Sequence, residues 1–132
     1  MEKYLVKSEN KTKVEGKFAL FIGRWQPLHD GHKWLFHQKL KKGENVCIAI
    51  RDVPKDDKNW WSAEQIKANV EKEYSELISK GKVKVIIIPD IDSINFGRGV
   101  GYDIIEHCPP KTIEEISATK IRQKLIEDGE KP

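Results

Sequence analysis

Apolar positions along the chain gather into short unbroken runs that alternate with stretches of helical spacing. FALFI, residues 18–22, is the first run, and Gly23 ends it. Runs of this kind fit strands buried on both faces, as in a parallel sheet. From Asp30 the pattern turns helical, and HKWLFHQKLKKG closes on lysines and Gly43, which are helix-stop signals. NVCIAI, 45–50, predicts a second strand, and RDVPKDDKNWW, 51–61, a loop. Ser62 opens SAEQ, which has capping-box spacing with Gln65. The helix behind it sets Ile66, Val70, Tyr74, Leu77 and Ile78 on one face and stops at Gly81. KVKVIIIPD, 82–90, predicts a third strand that Pro89 ends.

Residues 91–112 read as loop around NFGRGVGYD, with a short strand expected at 103–106 and a brief extended piece at TIEEI. Ser117 then caps a last helix with Ile121 and Leu125 one turn apart and Gly129 as its stop. Residues 1–16 are polar apart from Tyr4-Leu5-Val6 and read as an N-terminal extension, a strand or an arm. The organised domain is expected over 17–132. Strands alternating with helices predict one α/β domain with a parallel sheet and right-handed crossovers.

Charge narrows the partners. The 24 basic and 21 acidic residues are mixed along the chain, and the net charge of +3 is small. That balance favours an anionic small molecule over a nucleic-acid coat, which needs a larger clustered excess. Cys47 lies in an apolar run and reads as a buried thiol, and Cys108 reads as a loop residue. No disulfide framework is indicated, and a reducing compartment fits. No signal-peptide core or membrane-spanning run is apparent, so a cytoplasmic location is expected.

The chemistry concentrates in FIGRWQPLHDGHKWLF, 21–36. Ligands of open α/β sheets bind outside the carboxyl ends of the strands, and Gly23 through Gly31 follow the first strand. Asp30 is the expected N-cap, which puts Gly31 and His32 in the first helical turn. Free backbone N–H groups and the helix dipole there favour an anion. Helical side chains tilt toward the N-terminus, so His32 points back toward His29 and two imidazoles converge on one anion. Gly23 leaves the strand end open to a bulky ligand, Gly31 leaves room beside the histidines, and Pro27 sets the loop's direction.

A second element, ISATKIR, 116–122, places Ser117 and Thr119 at a helix start with Lys120 and Arg122 close behind. Hydroxyls, free N–H groups and a guanidinium suit a phosphate. Arg51 and Asp52 sit just past the second strand, at the expected ligand edge. Trp25, Trp60 and Trp61 are candidates to stack on a ring, and Arg98 to reach an acceptor's phosphate. A zinc site is the rival for the histidines. His37, Cys47, His107 and Cys108 form no ligand pair with them, so no metal site is expected.

Together, GRWQPLHDGH and ISATKIR resemble the two signatures of the HxGH nucleotidyltransferase superfamily, over about residues 17–128. The resemblance implies a Rossmann-like fold, a central parallel sheet with helices on both faces. It implies transfer of a nucleoside monophosphate from a triphosphate to a small phosphorylated acceptor, with pyrophosphate released. His29 and His32 are then expected to contact the triphosphate and stabilise the transition state, and Ser117, Thr119 and Arg122 to hold the β- and γ-phosphates, with Lys120 adding charge. Gly23, Arg24, Trp25 and Gly31 line the nucleotide, and Arg51, Asp52, Trp61 and Arg98 the acceptor. Mg²⁺ arrives with the triphosphate, held mainly by phosphate oxygens and water. GRWQPLHDGH is similar to the GRFQPxHxGH form of archaeal-type nicotinamide-nucleotide adenylyltransferases. Arg24 and Gln26 replace the threonine and aspartate of the cytidylyltransferase form. That favours ATP over CTP. NWWSAEQI, 59–66, is similar to the NPFTxxER segment of the same enzymes but carries Trp60 for the proline and Ile66 for the arginine. A cytidylyltransferase for a polyol or sugar phosphate and a non-catalytic nucleotide-binding protein are the alternatives. Small relatives are often homodimers, so a homodimer is the analogous expectation.

Overall fold

The structure is a computed structural model that describes residues 16–97 and 101–129. The expected extension, apart from Gly16, and Arg98 lie outside the described residues. Eight elements follow in order: β1 (Phe18–Gly23), α1 (Asp30–Leu40), β2 (Asn45–Asp52), α2 (Ala63–Glu73), α3 (Ser75–Ser79), β3 (Val83–Pro89), α4 (Lys111–Glu114) and α5 (Ala118–Glu127). The chain is thus α/β, with a three-stranded parallel sheet in the order β1-β2-β3.

Register explains where the core lies. Phe21 pairs with Ile48, and Ile48 with Val85, so these three share a face. Val46, Ile48, Ile50 and Val83 of that face are buried together with Phe36 of α1 and Ala63, Ile66 and Val70 of α2. Helices on both faces were expected; α1 and α2 instead share one. The chain steps twice in the same direction across the sheet, and two crossovers of the same hand deliver both helices to one side. On the opposite face Leu20 and Ile86 remain exposed, and the Lys84 ammonium sits over the Phe18 ring. Phe36 is wholly buried and meets Phe21, Trp25 and Tyr74 edge-on. Its truncation to alanine is expected to cost about 3–5 kcal/mol.

Helix ends follow the local chemistry. Gly43 and Gly81 adopt φ of 78° and 75° where α1 and α3 stop, a region that glycine enters without strain. The helix expected from Ser62 to Gly81 is interrupted at Tyr74, whose φ of −111° and ψ of 22° are not helical. TIEEI was expected to be extended, but Lys111–Glu114 form one helical turn. Its start is set by Pro110, whose carbonyl accepts from the Ile113 and Glu114 N–H groups. The strand expected at 103–106 does not form: no described strand pairs with these residues, and Ile104 and Ile105 are exposed. Among the described residues no helix is long and apolar enough to cross a membrane.

Candidate active site

The three parallel strands run to Gly23, Asp52 and Pro89, and their carboxyl ends lie on one edge of the sheet. The N-cap of α1 is His29, one residue before the expected Asp30. The imidazole, not the carboxylate, does the capping. His29 Nδ1 accepts from the Gly31 N–H at 3.0 Å, and His32 Nδ1 accepts from the His29 N–H at 3.2 Å. The His-x-x-His spacing therefore closes a capping box made of two imidazoles. The rings stack with centroids 3.6 Å apart.

That box fixes the tautomers. An Nδ1 that accepts a hydrogen bond carries no proton, so in each neutral ring the proton is on Nε2. Burial lowers the His29 pKa, and burial followed by the His29 charge lowers that of His32 to about 3. At neutral pH the pair presents two uncharged N–H donors. Gly31 makes this possible, since a Cβ there stands 2.8 Å from His29 Cε1.

Trp25 supports the pair from below. It is 6% exposed, its Nε1 donates to the Ala49 carbonyl at 3.1 Å, and its ring meets His32 edge-on at 4.8 Å. Its φ of 52° is in the left-handed region, which a bulky residue occupies only when its surroundings enforce it. The space beside Gly23, expected to admit a ligand, is filled by this indole, 2.8 Å from a Cβ placed there. Trp25 is thus a largely buried residue at the edge of the site. Trp60 is likewise buried, with Nε1 donating to the Asp57 carbonyl. Trp61 is half-buried beside it.

Arg122 approaches from the last helix. It is 7% exposed although charged. Its Nη1 donates to the Gln26 carbonyl and its Nη2 to Thr119 Oγ1 at 3.4 Å. Burial first, then the charge of Arg24, pulls its pKa down, and Asp56 opposes them. A cavity of about 200 Å³ joins Gly23, Arg24, Trp25, Gln26 and His32 to Ala118, Thr119 and Arg122. Ser117 spends its hydroxyl on the Lys120 N–H as N-cap of α5, and the Lys120 side chain is exposed. Neither Ser117, Lys120 nor His29 lines the cavity itself.

The expected acceptor residues are not gathered as closely. Arg51 is held by Asp90 through two hydrogen bonds, of 3.1 and 2.7 Å, and also reaches the Ile91 carbonyl. Asp52 is exposed at the end of β2. A larger groove, of about 570 Å³, lies between α1 and the α3–α4 side and is lined by Trp34, Leu40, Tyr74 and Leu77. Asp30 of the first motif, Lys33 and His37 also line it, but His32, Thr119 and Arg122 do not, so chemistry points to the smaller cavity. Among the described residues no three His, Cys, Asp or Glu side chains are placed to hold a metal ion. Cys47 is a partly buried thiol whose pKa burial raises, and Cys108 is exposed.

Two further residues, given no site role from sequence, lie in or act on the site. Gln26, 4% exposed, lines the cavity. Asp56 accepts at Oδ1 from the Lys58 and Asn59 N–H groups and from Asn59 Nδ2. The Lys58 bond, above all, lowers its pKa, and the Arg24 charge adds to this. The Asx-turn spacing of DDKN is the signal by which Asp56 is legible. No protein-family model, curated protein or solved structure matches the chain.

Proposed function

We propose that this protein is a small Rossmann-like nucleotidyltransferase of the HxGH type. On this reading it transfers a nucleoside monophosphate, AMP from ATP by preference, to a small phosphorylated acceptor. The observation that carries the reading is the shared cavity, in which the neutral His32 donor, Thr119 and the buried Arg122 converge from opposite ends of the sequence. Its volume, about 200 Å³, is below the roughly 300–1,000 Å³ of sites that enclose a whole ligand. It suits a phosphate chain, with base and acceptor on the open rim.

An oxygen of the acceptor's phosphate attacks the α-phosphorus in line. The bond from that phosphorus to the β,γ-pyrophosphate breaks, and pyrophosphate leaves with the electron pair. The protein supplies position and charge stabilisation, with no covalent intermediate. His29 and His32 donate from Nε2 to the transferring phosphoryl group, and Arg122 with Thr119 grips the leaving pyrophosphate. The described side chains lining the cavity are cationic or neutral, which fits a Mg²⁺ carried by the triphosphate rather than by the protein. The preference for ATP rests on Arg24 and Gln26 in GRWQPLHDGH.

Incubation with ATP or CTP, Mg²⁺ and panels of sugar, polyol, nucleotide and pantetheine-type phosphates, read as pyrophosphate release, tests the reading. Release from ATP with one acceptor class is expected. Release from CTP alone overturns the adenylyl preference. Tight nucleotide binding without release from any acceptor favours a non-catalytic binding protein.

A further inference from the structure

Gln26 is a buried residue whose side-chain nitrogen and oxygen are both engaged, and it joins two distant parts of the chain. Its Nε2 donates to the Trp61 carbonyl at 2.8 Å, and its Oε1 accepts from the Trp61 N–H at 3.1 Å. Its own backbone carbonyl accepts from Arg122. The two side-chain bonds span 35 positions in sequence and the third spans 96. A primary amide sets one donor and one acceptor side by side, which is what the N–H and C=O of a single residue require. A carboxylate sets two acceptors there, and a thioether sets no donor.

We infer that Gln26 is a positioning residue: by holding the backbone of Trp61 it fixes its own carbonyl, and that carbonyl aims the Arg122 guanidinium into the phosphate cavity. The inference rests on the phosphate-binding role of that cavity proposed above. It adds a link between the loop at 53–61 and the arginine, so that displacement of the loop is felt as a loss of anion grip. Gln26 itself does not touch the reacting atoms. Its side chain works through Trp61, and its carbonyl survives any substitution, so what a variant loses is the aim of Arg122 and not a ligand.

Calorimetric titration with inorganic tripolyphosphate tests this. Gln26→Glu is expected to bind about tenfold more weakly than the unaltered protein at pH 8, the loss of one buried hydrogen bond and a new acceptor–acceptor contact. Protonating the new carboxyl restores a donor, and burial raises its pKa. The deficit is therefore expected to shrink toward unity as pH falls to 5. In an Arg122→Lys background, Gln26→Glu is expected to add little further loss. Equal binding at pH 8, or an equal loss with and without Arg122, overturns the inference. An unaltered protein that binds no tripolyphosphate overturns the phosphate reading itself, and this inference with it. If Gln26→Glu does not fold at pH 8, Gln26→Asn, which keeps both polar groups on a shorter stem, is put through the same pair of backgrounds. The same non-additivity with Arg122 is expected, and additive losses overturn the inference.

Discussion

Two helix N-termini in this molecule are closed by the same reciprocal device built from different side chains. At α2 the Ser62 hydroxyl accepts from the Gln65 N–H at 3.1 Å and Gln65 returns a bond to the Ser62 N–H at 2.8 Å. At α1 the same two-way closure is made by His29 and His32. Serine is among the best N-cap residues, and histidine is not. A chain that needed only a helix start at Asp30 gains nothing from two imidazoles, whose burial shifts both pKa values down. What α1 has and α2 lacks is a pair of Nε2–H donors, because each Nδ1 is turned inward by the box. Capping explains the geometry of the histidines; it does not explain the choice of histidine.

Rebuilding the α2 device at α1 separates the two roles. His29→Ser with His32→Gln keeps a capping box, so melting is expected to change by about 1 kcal/mol at most. Pyrophosphate release is expected to fall by at least the 10²–10³-fold typical of losing one such donor. An active double variant breaks the comparison. Arg122→Lys removes planar two-point donation and leaves the Gln26 carbonyl and Thr119 without their partner, and about 10–100-fold weaker tripolyphosphate binding is expected by calorimetry.

The pH dependence sharpens the same contrast. His32 titrates near 6.5 when unfolded and at about 3 when folded. Between those values the unfolded chain holds a proton that the folded chain does not, so acid favours unfolding. Stability from this group is complete above pH 6.5 and declines as pH falls toward 3. Thermal melts from pH 7 to 4 are expected to fall less steeply for the double variant than for the unaltered chain. The smallest effect belongs to α2: Ser62→Ala is expected to lower stability by about 1 kcal/mol, roughly 4 °C in Tm, with pyrophosphate release unchanged within about twofold.

Local chemistry was legible in the sequence, and long-range chemistry was not. The strand at 45–50, the Ser62–Gln65 box and the glycine stops at 43, 81 and 129 are set by neighbours within a few positions, and each is where periodicity and capping place it. The shared face of α1 and α2 depends on strand order, which no window of sequence contains. Trp25 fills the space beside Gly23 because it adopts a positive φ that a tryptophan rarely takes. Arg51 is engaged by Asp90, 39 positions away. Gln26 looked like one letter of a motif until Trp61 and Arg122 were seen to meet on it. In His29 the sequence pointed to the right corner and the wrong cap, since Asp30 is the better residue by propensity and the imidazole won by closing the box with His32.

The most direct measurement is a long-range ¹H–¹⁵N correlation spectrum of the histidine side chains at pH 7, recorded during titration with tripolyphosphate. The expected result is an Nε2-protonated, Nδ1-unprotonated pattern for both His29 and His32, with both Nε2–H signals moving along one saturation curve. A proton on Nδ1 of either ring, or Nε2 signals that stay still while tripolyphosphate binds, contradicts the account.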